Sequence, residues 1–429
     1  MDNKIKKIFL YIITLSPLID VLFIINSEYL NISFPIHQII RGIILLLNVF
    51  YIFKFKEYKI FLVLCILLLI NEIVYFFSYG LINISNNFSY ILKILYTISF
   101  IQTYYILLKE KILDENSIIS CMSKASLIIS LIILFSKITN IGLQSYAKTA
   151  SYRSGVKGLF YAHNSITATL LILLPICVYI FYKKKTIYSF FNIIINILAL
   201  NLLGTKMGII GCLFIIFWTF LFFIIEYIKE NKIERKKVYI VCGLVLLSLI
   251  VLIFISKNYF INIYEQQKEI YIKYKYENIF SYLISNRDLQ INYLKTYIYE
   301  NGINILSFIF GLGYTKANSI IHTGKSAFKV VEMDFSGLFY YSGVFVLLAV
   351  IFIIIRSIYK YFNINSLKNT NYYKKIILLS FIIAIIHSSL GGHVIYEAIT
   401  GTYFGVILAL IRFSYKDPNM DVEGKNKEI

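Results

Sequence analysis

Apolar residues fall along the chain in long runs of about twenty, separated by short charged breaks, and most of these runs lack the polar face that a soluble amphipathic helix keeps. The run from Phe61 to Tyr79 and the one around Val344–Ile355 are long enough to cross about 30 Å of hydrocarbon at about 1.5 Å per residue. Read this way, the pattern predicts spans at roughly 8–26, 34–53, 59–78, 88–108, 117–136, 164–182, 187–204, 207–227, 238–256, 334–355, 375–392 and 396–413. The fold class is therefore all-α, a polytopic integral membrane protein of about 12 transmembrane helices with one large outer loop. Residues 1–256 hold nine N-terminal spans, 257–332 form a large extracytoplasmic loop, 333–414 hold three C-terminal spans, and 415–429 make a cytoplasmic tail.

Composition agrees with a lipid solvent: 59% of residues are hydrophobic and the mean hydropathy is +0.73. Cys65, Cys121, Cys177, Cys212 and Cys242 all lie inside apolar runs without metal-ligand spacing, so they read as small hydrophobes. Lys4, Lys6 and Lys7 precede an apolar run with no small-residue cleavage site after it, which makes that run a retained span. The formal charge of +19 would suggest nucleic acid in a soluble chain. Here the basic residues sit at span ends, where they set topology, and no nucleic acid is expected as a partner.

With the N-terminus inside, the inner loops carry Lys54, Lys56 and Lys59, Lys109 and Lys111, Lys183–Lys185, Lys229–Lys237 and the basic residues from Arg356 to Lys375. The outer loops near 27–33 and 79–87 contain no Lys or Arg. Both termini are therefore predicted to be cytoplasmic. Two outer segments break the pattern. Residues 137–163 carry Lys137, Lys148, Arg153 and Lys157, and residues 257–332 carry nine Lys or Arg, among them Arg287, Lys325 and Lys329. A long translocated domain escapes the rule, and an anionic ligand on the outer face would also explain the charge.

Ser285 and Asn286 read as helix caps, and Leu289 or Ile291, Leu294 and Ile298 follow near helical spacing. A short amphipathic helix is predicted over Arg287–Glu300, lying on the membrane or over a cavity. Four clusters could carry chemistry. Arg153 leads "RSGVKGLFYAHN", whose glycines and aromatics also suit a turn at the interface. Lys206, in "LLGTKMGIIG", either snorkels or holds a cation at fixed depth facing an outer cavity. Arg287 at a helix start either binds phosphate through its planar fork or is a solvated surface residue. Glu332 and Asp334, in "VVEMDFSGLFYYSG", open a span, where carboxylates also complement the helix dipole.

His322 and His393 fall on the outer side, His393 beside Glu397. His37 and His387 read as span residues hydrogen-bonded within the bundle, and Asp20 and Arg41 as intramembrane ions that pair. The phosphate-cradling glycine loop, the paired-His zinc helix and the Gly-x-Ser-x-Gly elbow are absent.

Taken together, "SPLID", "QIIRGI", "GLFYAHNSITATLLILLPI", "GTKMGIIG", "SNRDLQINYL", "FIFGLGY", "EMDFSGLFYYSG" and "GGHV" resemble the bacterial O-antigen ligase and polysaccharide polymerase superfamily, in its capsule-pathway form. The resemblance implies about twelve spans and a large outer loop over a cavity. It also implies glycan transfer from an undecaprenyl-diphosphate carrier to an acceptor hydroxyl, with no cofactor, nucleotide sugar or metal.

Family arginines match the positions of Lys206 and Arg287, and a family His-Asn pair falls where this chain has Glu332. The resemblance thus implies a polysaccharide polymerase in the bacterial cytoplasmic membrane, with Glu332, Arg287 and Lys206 catalytic. Arg153, His322, Lys325, Asp334 and His393 would bind substrate. The expected partners are an undecaprenyl-diphosphate-linked oligosaccharide, the lipid bilayer, a flippase and chain-length regulator proteins. The rival readings are a ligase moving finished polymer and a lipid-linked oligosaccharide flippase, against which the single large loop and missing internal repeat argue. In a cysteine-free background in intact cells, a cysteine at Ser285 is expected to react with an impermeant maleimide. Labelling only after permeabilisation would overturn the sidedness.

Overall fold

The computed structural model describes residues 2–32, 34–80, 84–146, 155–231, 284–300, 305–323, 330–359 and 372–414, with a few positions between 265 and 282. The span expected at 238–256, and Arg153, Lys325 and Lys329, lie outside the described residues.

The helices are α1 (Asp2–Ile24), α2 (Ile36–Lys54), α3 (Lys59–Tyr79), α4 (Ile84–Lys109), α5 (Glu115–Thr139), α6 (His163–Lys184), α7 (Ile187–Leu202) and α8 (Lys206–Asn231). Next come α9 (Arg287–Glu300), α10 (Ile305–Phe310), α11 (Tyr314–Thr323), α12 (Asp334–Ile358), α13 (Tyr372–Leu390) and α14 (Ala398–Phe413). Nine of the described helices are long and apolar enough to cross a membrane, and the protein is a polytopic all-α membrane protein. The expected spans at 187–204 and 396–413 appear as helices of 16 residues each. A single two-stranded hairpin among the described residues, β1 (Leu143–Gln144) with β2 (Val156–Gly158), follows α5.

Burial sorts the helices. In α4 and α6, 78% of the apolar window is buried, against 28% in α2, α3 and α8, so the first two are central and the last three face lipid. Helix α14 is buried from Ala398 through Ile411. It reaches α4 closely because Gly401 and Gly405 lie one turn apart: an added Cβ would stand 2.0 Å from the Thr97 hydroxyl at Gly401 and 2.6 Å from the Phe100 Cβ at Gly405. Polar contacts then tie helices across sequence. Tyr403 donates to the Ile13 carbonyl (2.9 Å), Thr400 to that of Ser165 (2.9 Å) and Asn192 to the Ser123 hydroxyl (2.8 Å). Each satisfies a group that lipid cannot.

Helices α9–α11 cover the end of the bundle where α3 stops and α8 and α12 start, called here the large-loop end. Their attachment depends on a break in α12. Gly343 sits at φ 76° and ψ −178°, a conformation open essentially to glycine, and an added Cβ would stand 2.0 Å from the Ile309 carbonyl oxygen. The carbonyls released there accept new donors, Leu312 N–H to Tyr340 (2.8 Å) and Gly313 N–H to Tyr341 (3.0 Å). Asn71 of α3 donates to the Phe310 carbonyl next door.

Gly343→Ala is expected to cost at least about 1–3 kcal/mol from the backbone alone, read as a lower thermal midpoint of the purified protein. Gly42→Ala is the control, since a Cβ there meets nothing within 4 Å. Equal midpoints for the two variants would refute the assignment.

Candidate functional site

The turn before α9 is built from two residues in the left-handed region, Ser285 (φ 56°) and Asn286 (φ 60°), closed by Asn286 N–H to the Ser281 carbonyl at 2.8 Å. Both residues thus serve as turn formers. The helix that follows carries Arg287, Gln290 and Leu294 on its buried face, with Ile291 and Ile298 packed against the core. It lies over the bundle with one face buried, but its apolar residues are not segregated to that face as an amphipathic helix requires: a guanidinium and an amide point inward with Leu294.

Arg287 is buried rather than solvated. Its Nε and Nη2 reach the same Glu332 oxygen at 2.7 and 2.6 Å, and Nη1 donates to the Ile284 carbonyl at 3.1 Å. Glu332 belongs to the extended stretch before α12, whose first residue is Asp334. Its backbone N–H donates to Gln290 Oε1 at 2.9 Å. The Gln290 side chain is fully buried, and its Nε2 meets no partner among the described residues. This donor, one helical turn from Arg287, was not visible in the sequence as a site residue.

Lys206 opens α8. Its ammonium donates to the Tyr282 carbonyl at 2.8 Å and lies 3.5 Å from that ring's centroid, so it grips the segment five residues before Arg287. It is thereby held at fixed depth rather than extended into the interface.

Asp334 turns to a different side from Glu332, as two residues of spacing require. One carboxyl oxygen accepts from Ser388 Oγ (2.8 Å), Val394 N–H (2.8 Å) and Ile395 N–H (3.0 Å), and the other from His393 N–H (2.8 Å). With no exposure and four donors, it organises the 391–397 loop. His393, at φ 64°, and Gly392 belong to that loop, and a Cβ on Gly392 would stand 1.2 Å from the Glu332 carbonyl oxygen. The loop therefore packs directly on the backbone of Glu332.

His322 is exposed in the last turn of α11. His387 is buried with Nδ1 3.0 Å from the Gly392 carbonyl, and Arg41 pairs with Asp20, both as the apolar surroundings demand. His37 differs from expectation: its Nδ1 is buried without a partner among the described residues, and its ring lies 4.2 Å from that of Phe23. His163, missed in the sequence, opens α6 within electrostatic reach of Lys157, His393, Glu332 and Arg287. Its place in "YAHN", beside the glycine turn, was the available signal.

One group flanking the site has a shifted acidity. Burial lowers the Lys157 ammonium, against the opposing pull of Glu28. Glu397, at the start of α14, pairs with Lys93 at 3.2 Å.

No curated protein and no solved structure matches the chain. The sequence profile described as O-antigen ligase like membrane protein matches residues 2–262 and 256–416, nearly the whole length. The protein is a membrane enzyme acting on lipid-linked glycans, and the chain belongs to the O-antigen ligase like family of membrane proteins.

Proposed function

We propose that the protein is a polysaccharide polymerase of the bacterial cytoplasmic membrane, working on the outer face with both termini inside. It transfers glycan from an undecaprenyl-diphosphate-linked donor to an acceptor-sugar hydroxyl of a lipid-linked repeat unit, without a metal. The observation that carries the reading is the part-buried Arg287–Glu332 pair, with Lys206 holding the Tyr282 turn just before Arg287.

The acceptor oxygen attacks the anomeric carbon, forming the new glycosidic bond as the carbon–oxygen bond to diphosphate breaks. The electron pair leaves on the diphosphate, and the hydroxyl proton passes to Glu332. Donors that tighten on the leaving diphosphate lower the barrier, and Arg287 and Lys206 supply them. At rest Glu332 is occupied by Arg287. A donor diphosphate competes for the same fork, so its binding frees the carboxylate to act as base. Base and donor are thus brought into play together. Asp334 keeps the 391–397 loop, and with it His393, against the site.

With purified protein and a lipid-linked repeat unit, longer lipid-linked chains are the expected product. Transfer to a different acceptor would instead mean a ligase, and no covalent product would mean transport. Arg287→Ala is expected to abolish elongation at normal protein levels, and Arg287→Lys to recover little because the fork is lost. Near-wild-type polymer from Arg287→Ala would sink the proposal.

Glu332→Gln, which keeps a hydrogen-bonding side chain but removes the base, is expected to lower elongation at least about a hundredfold while donor binding persists. If Glu332→Gln elongates normally and His322→Ala does not, His322 is the base.

A further inference from the structure

A chamber lies beside the 391–397 loop, lined by Glu397 and by neither Arg287 nor Glu332. It has a volume of about 420 Å³ and is walled by the large-loop ends of α1, α2, α4, α6 and α14. That size falls within the usual range of small-molecule sites. The loop links the two places: Tyr396 donates to the Val331 carbonyl at 3.3 Å, next to Glu332, and Glu397 forms part of the chamber wall.

We propose that this chamber is a saccharide subsite, holding an uncharged sugar of the lipid-linked acceptor while the lipid stays in the bilayer. The proposal rests on the glycosyl-transfer reading above and adds where the acceptor sits.

Charge separates the two sites. At Glu332 the guanidinium of Arg287 sits directly on the carboxylate, with Lys206 on the segment just before it, and this fork suits a polyanion. The chamber instead holds two cations and two carboxylates, paired as Arg41 with Asp20 and Lys93 with Glu397. Its walls carry no net charge, and a diphosphate would have to break both pairs. Paired carboxylates retain lone pairs that accept from hydroxyl groups.

Phe23, Phe88 and Tyr161 add aromatic surface for the carbon–hydrogen faces of a pyranose.

Access comes from the side. Below the chamber α2 and α4 are joined, Asn48 Nδ2 to Ser99 Oγ at 3.0 Å and Thr103 Oγ1 to the Asn48 carbonyl at 3.2 Å. At chamber height Gly42 of α2 has nothing within 4 Å of an added Cβ, and Phe88 and Leu92 of α4 are exposed although they line the wall. A sugar on a polyprenyl carrier reaches the chamber between these helices without leaving the membrane plane.

The test places a cysteine at exposed, wall-lining Ser89 in a cysteine-free chain in lipid nanodiscs. Maleimide reaction is followed with undecaprenyl-diphosphate-linked N-acetylglucosamine and, separately, with undecaprenyl diphosphate alone. The glycosylated lipid is expected to slow labelling several-fold and the bare lipid not to, while a cysteine at Ser319 on α11 is unaffected by either. Equal protection by both lipids assigns the chamber to the carrier and overturns the proposal, as does no protection.

A second variant, Gly42→Phe, fills the chamber without touching Arg287 or Glu332. It is expected to fold normally and to lower elongation at least about tenfold. Unchanged elongation with Gly42→Phe would also overturn the proposal. If the wild-type protein gives no covalent product at all, the glycosyl-transfer reading fails and labelling alone decides the chamber. If it elongates but the glycosylated lipid gives no protection, only the chamber assignment fails.

Discussion

A backbone broken inside a membrane protein must find new partners for every group it releases, because hydrocarbon offers none. That requirement is met at Gly343 by the peptide groups of Leu312 and Gly313, and the rest of the large-loop end is arranged around the exchange. The return segment is fastened to α12 by main-chain bonds that leave no choice of register. Above the break, Tyr341 accepts from Val331 N–H at 2.6 Å and donates to Asn318 Oδ1 at 2.7 Å, so one ring hydroxyl joins α11, α12 and the segment leading to Glu332. Glu332 reaches Arg287 because both ends of that connection are fixed.

The ion pair at the centre is a poised arrangement rather than a source of strength. Burying both charges roughly offsets their attraction, while leaving one without the other costs about 3–5 kcal/mol. A pair of this kind persists at rest yet yields readily to a competing anion of higher charge. Its side chains retain 9% and 21% exposure, so solvent and substrate have a route to it.

The sequence displayed what depends on local pattern. Most spans, the helix starting at Arg287, the Asp20–Arg41 pair on adjacent helices and the divergence of Glu332 from Asp334 all follow from periodicity or short spacing. What it concealed depends on residues far apart in the chain. Helix α14 reads as an ordinary span, and only its close approach to α4 explains how so short a helix is buried all round. Gly343 looks like any glycine in an apolar run, since its partner lies at Ile309. The Lys93–Glu397 pair closes a separation of 304 residues, and Gln290 looks like surface until Glu332 arrives beside it. The sequence placed Ser285 and Asn286 correctly at the helix start but suggested side-chain caps where the chain uses left-handed turn geometry.

The Asp334 hub carries a consequence for biogenesis. Its four donors come from Ser388 and the stretch His393–Ile395, more than fifty residues later in the chain. During synthesis the start of α12 leaves the ribosome before any of them. Until they arrive the carboxyl group can satisfy its lone pairs only with water, so this end of α12 stays at the aqueous boundary and Glu332 with it. A nascent chain that ends before the 391–397 loop therefore lacks a finished site, and a lipid-linked glycan meets a competent enzyme only after translation has passed that loop.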